Sequence, residues 1–367
     1  MKIFAFGSSI LSSYWNGAAT YYRGCYKYLA QRGHDITFAE PDAYGRQQHR
    51  DEGDFSYVRS LVYRPQKDVA AMLQIAADAD VVIKHSGIGV DDVLLEQSVA
   101  DMGRERPVFF WDVDSPATLA RMRANRGDSF FQALPRYDAV LSYGGGPVSR
   151  DGYLANGARA YYNIYNGLDP DTHHPVEADP LLRCDVAFLG NRLPDREQQV
   201  ERLFLRAAEL APEKSFLLGG EGWGDKAMPA NVRWIGHVPT ADHNRVNCSA
   251  GMVLNINRAS MVSSGFSPPT RVFEVAGAGA CMLCDAWPGI DDCFEPGHEI
   301  LVVREAEEIV EAMRRYDDAH RRRIGAAFRE RALRDHTYAQ RAQQAEAAFA
   351  EHLSKRAPVT ATDAESV

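Results

Sequence analysis

The stretch Ile3-Phe4-Ala5-Phe6-Gly7 is a short apolar run that ends at a glycine, and it sets the fold. Helix-like spacing follows over residues 17–31, and a second apolar run, DITFA, occupies residues 35–39. Strand, glycine-bearing loop, helix and strand in this order form the βαβ unit of an α/β domain. The sequence therefore predicts parallel strands joined by helices from its first residues onward.

The same rhythm continues along the chain in two blocks. The further apolar runs cover residues 80–84, 107–111, 137–141 and 160–164 in the first block, and 185–190, 215–219, 232–236, 251–256, 280–284 and 299–303 in the second. Most of these runs are apolar on both faces, as buried parallel strands are. Residues 166–184 lie between the blocks and contain three prolines and several turn formers, which is typical of an interdomain linker.

We therefore expect two α/β domains, over residues 1–170 and 185–335, with the linker at 171–184. A C-terminal helix is expected over 336–353, with packing against the first domain as one option, and the polar stretch 354–367 is expected to be disordered. Ligands of open α/β sheets bind outside the carboxyl ends of the strands. Two such sheets joined by one linker predict an interdomain cleft as the binding site.

The composition excludes several classes of protein. The 367 residues include 41 Lys and Arg against 50 Asp and Glu, which gives a formal net charge of −9 and argues against broad nucleic-acid binding. A local anion site remains compatible with this charge, because it needs only a few placed groups. Six scattered cysteines indicate reduced thiols, and no stretch of 18 apolar residues occurs. We expect a cytoplasmic protein without a transmembrane segment.

The strongest candidate site in the sequence lies at residues 267–280. Ser267 is expected to cap a short helix, and the free amides at its start, beside the hydroxyls of Ser267 and Thr270, would hold a phosphate. Glu274 lies one turn later and is placed to accept hydrogen bonds from a ribose diol. An ordinary capped helix packed between sheets, with Glu274 on the surface, explains the pattern equally well.

Several stretches of the second block carry a resemblance to a known family. They are residues 255–258 (NINR), 271–274 (RVFE), 284–285 (CD), 294–301 (FEPGHEIL) and 336–341 (HTYAQR). In order and spacing these stretches resemble the C-terminal half of bacterial CgeB-like (spore maturation protein-like) glycosyltransferases, which belong with the group 1 glycosyltransferases. The resemblance is good over residues 185–345 and weaker over 1–170.

This resemblance implies a GT-B fold, with two facing Rossmann-like parallel-sheet domains. It implies a nucleotide diphosphate-sugar donor on the second domain, an acceptor on the first, and neither a metal ion nor a cofactor. Glu274 then matches the glutamate that binds the donor ribose, and Ser267, Thr270 and the adjoining Arg271 lie at the diphosphate-binding helix start. Many retaining relatives have a further glutamate eight positions earlier. Phe266 stands there in this chain, which leaves retention or inversion of stereochemistry open.

Two arginines follow the first predicted strand of the second block. Guanidinium groups pair bidentately with phosphate oxygens, so Arg192 and Arg196 are candidate diphosphate clamps. We favour Arg192 of the two. The alternative is a solvated loop in which an arginine caps its own helix together with Asp195.

Glycine-rich loops end two further strands, at residues 219–224 and 234–239. Glycine lets the backbone approach a planar nucleobase closely, and His237 and Val238 lie where the family places the base. A simple turn, with Trp223 as a packing residue, is equally consistent with this pattern.

In the first block, Asn16 and Gly17 lie in the loop after the first strand. The dinucleotide fingerprint G-x-G-x-x-G is absent there, which removes the main support for a dehydrogenase. Under the glycosyltransferase hypothesis these two residues approach the donor phosphates or the acceptor. The alternative is a plain β–α turn.

Acid–base candidates also follow strands of the first block. Deprotonating an acceptor hydroxyl requires a carboxylate or an imidazole, and Asp112, Asp114 and His85 stand at predicted strand ends. Asp114 is equally suited to cap the following helix, and His85 to be a satisfied loop histidine. A retaining reaction needs no such base.

Together these observations predict a metal-independent glycosyltransferase that moves a sugar from a nucleotide diphosphate-sugar to an acceptor hydroxyl. The acceptor is unknown and is a glycan, a small molecule or a protein. Two alternatives stay open, a nucleotide-sugar epimerase of the same fold and a non-catalytic nucleotide-sugar-binding protein.

Overall fold

A computed structural model describes residues 1–356, apart from the side chain of Ser264. The strands in this part of the chain are β1 (Lys2–Phe6), β2 (Asp35–Pro41), β3 (Arg59–Tyr63), β4 (Val81–His85), β5 (Val108–Asp112), β6 (Ala139–Ser142), β7 (Tyr161–Asn163), β8 (Cys184–Leu189), β9 (Phe216–Gly219), β10 (Val232–Trp234), β11 (Ala250–Asn255), β12 (Met282–Asp285) and β13 (Leu301–Val303). The α-helices are α1 (Ala19–Gln31), α2 (Val69–Ala76), α3 (Asp92–Met102), α4 (Ser115–Ala124), α5 (Ser129–Ala133), α6 (Gly146–Ala155), α7 (Glu197–Val200), α8 (Arg206–Leu210), α9 (Thr240–Ser249), α10 (Ala259–Ser264), α11 (Thr270–Ala278), α12 (Ile290–Cys293), α13 (Ala306–Arg315), α14 (Asp318–Asp335) and α15 (Tyr338–Ser354).

The first compact unit is built on a seven-stranded sheet. It consists of Met1–Tyr143, Ser149–Ile164 and the described residues from Ala342 on. The strand order is β3-β2-β1-β4-β5-β6-β7, and every neighbouring pair is parallel. The central strand β1 is buried from Ile3 to Phe6, as its apolar run predicts.

The second compact unit has a six-stranded parallel sheet. It consists of Gly144–Val148 and Tyr165–Arg341, and its strand order is β10-β9-β8-β11-β12-β13. Helices cover both faces of this sheet, and side chains such as Phe188 and Leu254 form one of its core clusters. Two α/β units with parallel Rossmann-like sheets confirm the predicted fold class.

Strand β3 was not predicted from the sequence. It lies at the edge of the first sheet, where Tyr63 is its one buried residue, and its apolar run is only three residues long, LVY at 61–63. From residue 306 to residue 354 the chain is mostly helical and forms α13, α14 and α15. Asp317 lies between α13 and α14 and caps α14, because its side chain accepts a hydrogen bond from the backbone amide of His320.

The predicted capping role of Ser267 is wrong. Helix α11 begins at Thr270, with Pro269 in the capping position. The buried Ser267 hydroxyl donates instead to the carbonyl of Gly265, at 2.9 Å. A residue that precedes a proline avoids the helical region, so Ser267 and Pro268 stay outside the helix and its cap lies two residues later than predicted.

Residues 357–367 of the predicted disordered tail lie outside the described residues. No helix of the described chain is long and apolar enough to cross a bilayer.

Candidate functional site

Arg192 is already paired with carboxylates in the loop after β8. Its guanidinium lies 2.7 Å from Glu197 and 2.8 Å from Asp225. Hydrogen bonds to these two carboxylates raise the pKa of Arg192 above its ordinary value. A guanidinium with two acidic partners has little remaining attraction for a phosphate, so the geometry does not favour Arg192 as the clamp.

Arg196 has a different environment. Its guanidinium stacks over the Phe188 ring, 5.7 Å from the centroid, and donates to the carbonyl of Asn191. Within residues 1–356, no carboxylate oxygen lies within 4.0 Å of it, and its Nε has no hydrogen-bond partner. Burial, followed by the positive charge of Arg271, lowers the pKa of Arg196 to about 10. The charges of Asp195 and Asp285 offset part of this effect, but neither carboxylate pairs directly with Arg196, which leaves the guanidinium a candidate partner for an anion.

Polar residues at the ends of β11 and β12 lie in the same region of the second unit. The buried Asp285 carboxylate accepts from the backbone and side-chain amides of Asn257, at 2.9 and 2.8 Å. Burial raises the pKa of Asp285 to about 6 in spite of these hydrogen bonds. Arg258 contributes a further positive charge near Arg196 and is itself held by Asp195 at 2.8 Å.

The segment before α11 has a strained backbone. Phe266 has φ = 46°, in the left-handed region that bulky side chains avoid. Its amide donates to the Pro288 carbonyl at 2.6 Å, and its carbonyl accepts from the Gly145 amide at 3.0 Å. These two hydrogen bonds hold the strained turn in place directly before the amides of the helix start. Strained residues of this kind are concentrated at functional sites.

The predicted hydroxyls of the helix start have partners. The Thr270 hydroxyl lies 3.5 Å from the Asn166 side-chain oxygen, and the Asn166 amide donates to the Pro268 carbonyl at 3.1 Å. Because the Ser267 hydroxyl also donates to a backbone carbonyl, a phosphate at this helix start would depend mainly on backbone amides.

Glu274 is buried, so the alternative that placed it on the surface is wrong. Its carboxylate lies 2.7 Å from Arg271, 3.3 Å from the His243 ring and 4.0 Å from the His173 ring. Burial alone would raise the pKa of Glu274, but Arg271 and His243 outweigh it and hold the pKa well below its usual range. The carboxylate is therefore ionised at neutral pH and suited to accept hydrogen bonds from a diol.

The glycine-rich loops have a structural reason for their composition. A Cβ at Gly220 would lie 2.3 Å from the carbonyl oxygen of Gly190, so the loops after β8 and β9 pack closely only with glycine here. Trp223 is buried and donates to the same carbonyl at 2.9 Å, which confirms its packing role. His237 is exposed on the loop after β10, and Val238 packs partly against a small apolar cluster.

In the first unit, Asn16 braces the loop that follows β1. Its side-chain oxygen accepts from the Ser8 hydroxyl at 2.9 Å, and its amide donates to the carbonyls of Ser9 and Ser12, at 2.8 and 3.0 Å. Both the oxygen and the amide of the Asn16 side chain are therefore hydrogen-bonded within the loop. Gly17 is exposed, with open space where a Cβ would stand.

The three acid–base candidates differ in access to solvent. Asp112 is fully buried, accepts from the Ser86 hydroxyl at 2.6 Å and from the Tyr153 hydroxyl, and burial raises its pKa. His85 is also fully buried, with its Nε2 2.6 Å from the Tyr26 hydroxyl. Asp114 is half-buried and caps α4, accepting from the Ala117 amide at 3.3 Å. Of the three, Asp114 is therefore the group that an acceptor can reach.

The buried His85 makes stability depend on pH. Burial lowers the pKa of His85 to about 3, whereas an unfolded histidine titrates near about 6.5. Between these values the unfolded chain holds one more proton, so the free energy of unfolding should rise with pH, by up to about 1.4 kcal/mol per pH unit. In urea unfolding from pH 4 to 7, His85→Gln should remove this slope. If the free energy of unfolding changes with pH in the same way in the variant and in the parent, the attribution of this pH dependence to His85 is wrong.

The capping role of Asp114 can be separated from its charge. Asp114→Ala removes the cap of α4 and should lower the free energy of unfolding by about 1 kcal/mol, whereas Asp114→Asn keeps a capping oxygen and should cost much less. Urea denaturation measures both values. If the well-folded Asn variant loses turnover, the loss is due to the missing carboxylate charge. If both variants are destabilised equally, the capping role of Asp114 is wrong.

The comparisons with known proteins agree with this architecture. Residues 196–347 match a family model described as glycosyl transferase-like. The match begins at Arg196 and includes α11, Glu274 and Asp285. Among curated proteins, no relative matches the sequence.

Solved structures with the same fold cover nearly the whole chain. Anabaena HepE, in complex with UDP and glucose, is 15% identical over 96% of this chain and 100% of its own, with a TM-score of 0.65. Sucrose-phosphate synthase from Thermosynechococcus elongatus is 14% identical over 97% of this chain and 100% of its own, with a TM-score of 0.68. An alpha-glucosyltransferase in complex with UDP and a 13-mer DNA is 13% identical over 95% of this chain and 99% of its own, with a TM-score of 0.69.

These likenesses establish the fold, and with the family match they confirm the resemblance to group 1-like glycosyltransferases of GT-B type. The CgeB-like subgroup stays a prediction. Three residues that now stand out were not predicted as site residues, namely Arg258, His243 and Asp285, although Arg258 and Asp285 lie in stretches that carry the family resemblance. Asp285 and Arg258 follow strands of a parallel sheet, which is a usable signal, whereas His243 meets Glu274 only through tertiary packing.

Proposed function

We propose that this protein transfers a sugar from a nucleotide diphosphate-sugar to an acceptor hydroxyl. The observation that carries the proposal is Arg196, a half-buried guanidinium without a carboxylate partner in the described chain, inside the glycosyltransferase-family match. An anionic ligand would relieve its repulsion from Arg271. A nucleotide diphosphate supplies that negative charge and also a ribose diol for Glu274.

The proposed chemistry follows from where charge develops. Breaking the bond between the sugar and the diphosphate leaves negative charge on the phosphate oxygen that departs. Arg196 and the backbone amides at the start of α11 would stabilise this charge without a metal ion. In the described part of the chain, no three His, Cys, Asp or Glu side chains are grouped to hold a metal. Metal independence is part of the proposal because Arg196 and these amides would supply the positive charge that the departing phosphate needs.

We assign the donor to the second unit and the acceptor to the first. If the reaction inverts the anomeric centre, Asp114 is the proposed general base, because Asp112 and His85 are fully buried and hydrogen-bonded. If it retains the centre, Asp114 positions the acceptor. Proton NMR shows the anomeric configuration of the product as it first forms, before the anomers interconvert. This configuration distinguishes inversion from retention.

UDP is the first nucleotide to test, because Anabaena HepE and the alpha-glucosyltransferase were solved with it. The protein is incubated with a UDP-sugar, with and without a mixture of candidate acceptors, and free UDP is measured. Release of UDP that depends on acceptor supports transfer. Isomerisation of the sugar without acceptor would indicate an epimerase, and binding without either event would indicate a non-catalytic protein. The family domain favours transfer.

The CgeB-like subgroup and a cytoplasmic location complete the proposal. Both rest on the sequence, through the motifs of the second unit and through the scattered reduced cysteines.

A further inference from the structure

Exposed aromatic side chains are concentrated on two loops of the first unit. Trp15 is 79% exposed, Tyr44 is 53% exposed and Tyr14 is 40% exposed. The Tyr14 ring stacks on the His49 ring, with centroids 4.0 Å apart and planes 10° from parallel. We call these four residues the aromatic face. Exposing large aromatic surface to water is unfavourable, so a cluster of such rings indicates a binding surface.

The aromatic face is held in place by specific contacts. Trp15 and Tyr44 both have left-handed backbones, with φ values of 48° and 58°. Arg46 donates to the Trp15 carbonyl at 3.4 Å and lies 5.0 Å from the centre of the Tyr44 ring. The Tyr44 hydroxyl donates to the carbonyl of Gly89 at 2.8 Å. A strained backbone that presents an indole to water fits a functional role better than a packing role.

Hydrogen bonds also join the two loops to each other. The Ser12 hydroxyl donates to the His49 carbonyl at 2.5 Å, and the Asp51 carboxylate accepts from the amide and hydroxyl of Ser13, at 2.8 and 3.0 Å. The loops follow β1 and β2, at the carboxyl edge of the parallel sheet. Open α/β sheets bind their ligands at this edge. The aromatic face therefore stands where the first unit would take its ligand.

The charge of these loops limits the class of ligand. Residues 7–18 contain no charged side chain, whereas residues 42–54 contain four Asp or Glu and two Arg, a net charge of −2. Such a surface repels nucleic acid and anionic lipid. The loop that carries Tyr44 and His49 also has an exposed amide side chain, Gln48. Apolar rings beside neutral polar groups match a ligand with alternating C–H and hydroxyl groups.

We infer that the aromatic face binds a neutral saccharide as the acceptor. The C–H groups of a sugar ring would lie on the Trp15 indole, and its hydroxyls would bond to the neighbouring polar side chains. The acceptor role rests on the proposed function, whereas saccharide binding itself does not depend on it. Separate measurements therefore test the two claims.

The test uses the intact chain and four trisaccharides as probes: maltotriose, cellotriose, xylotriose and chitotriose. Saturation-transfer NMR and tryptophan fluorescence report binding, and Trp15 is the most exposed of the five tryptophans that the fluorescence detects. At least one probe should bind, and Trp15→Ala should weaken it by about tenfold. Trp15→Phe keeps an aromatic ring and should restore part of the affinity.

The matched control is Ile75→Ala, which removes an exposed apolar side chain from the C-terminal end of α2, at the opposite edge of the sheet. It should leave saccharide binding unchanged, and near-UV circular dichroism verifies that every variant is folded. Failure of all four probes to bind, or equal binding by the parent and Trp15→Ala, would overturn the inference. The inference would also be overturned if a DNA oligonucleotide or phosphatidylglycerol vesicles, and not a saccharide, bound in a way that depends on Trp15. UDP titration of the same samples tests the proposed function separately.

Discussion

Arg196→Ala should reduce kcat/KM for the nucleotide-sugar donor by about 100-fold to 1,000-fold, the loss typical of removing one preorganised group that stabilises developing negative charge. The free protein should lose little stability. Removing Arg196 ends its packing on Phe188, but it also removes the repulsion from Arg271 that helps lower the pKa of Arg196. Initial-rate kinetics and urea denaturation measure the two effects on the same sample.

The matched control is Arg192→Ala, in the same loop. Arg192 is a half-buried arginine that is already paired with Glu197 and Asp225, so its removal should change the donor kinetics by only a few-fold. Arg196→Lys keeps the charge without the planar fork and should recover part of the rate. If Arg192→Ala proves the more damaging change, the assignment of the clamp to Arg196 is wrong.

Glu274→Gln should lower the free energy of unfolding by about 3–5 kcal/mol at pH 7, because it leaves the largely buried Arg271 charge without its partner. The folded pKa of Glu274 lies below its unfolded value of about 4.3. Its stabilisation is therefore fully present above that pH and is lost as the pH falls through the folded pKa. The difference in the free energy of unfolding between the parent and the variant should be constant from pH 5 to 7 and should become smaller at lower pH.

Glu209→Gln is the control for this change. Glu209 is an exposed helix residue paired with Arg206 at 2.9 Å, and its replacement should cost no more than about 0.5 kcal/mol. Urea denaturation at several pH values measures both variants. Glu274→Gln should also weaken UDP binding, since the amide has no negative charge and offers the ribose diol one accepting oxygen in place of two. Unchanged UDP affinity in the folded variant would refute the ribose role.

The fold could be predicted from the sequence because buried parallel strands need apolar residues on both faces. Runs such as residues 3–6 and 251–256 satisfy this need and are visible without an alignment. The edge strand β3 was missed for the same reason, since an edge position needs little burial and its apolar run, LVY at 61–63, is short. The start of α11 was misplaced because serine is a common cap, and the two following prolines fixed the backbone differently.

The candidate site was predictable only in part. Loop position selected Arg192 and Arg196 together, but the choice between them depends on Asp225, which is 33 residues from Arg192 in the sequence. The burial of Glu274 and its contact with His243 likewise come from the packing of α9 against α11. Spacing along a chain shows which residues follow strands. It does not show which charges are already neutralised.

The most direct test of the central claim is calorimetric titration of UDP, GDP and ADP into the intact protein and into Arg196→Ala. One nucleotide diphosphate should bind the parent with 1:1 stoichiometry, and its affinity should fall by at least tenfold in the variant. Arg192→Ala should bind nearly as well as the parent. If none of the three nucleotides binds, or if the affinity does not depend on Arg196, the proposed donor site is wrong.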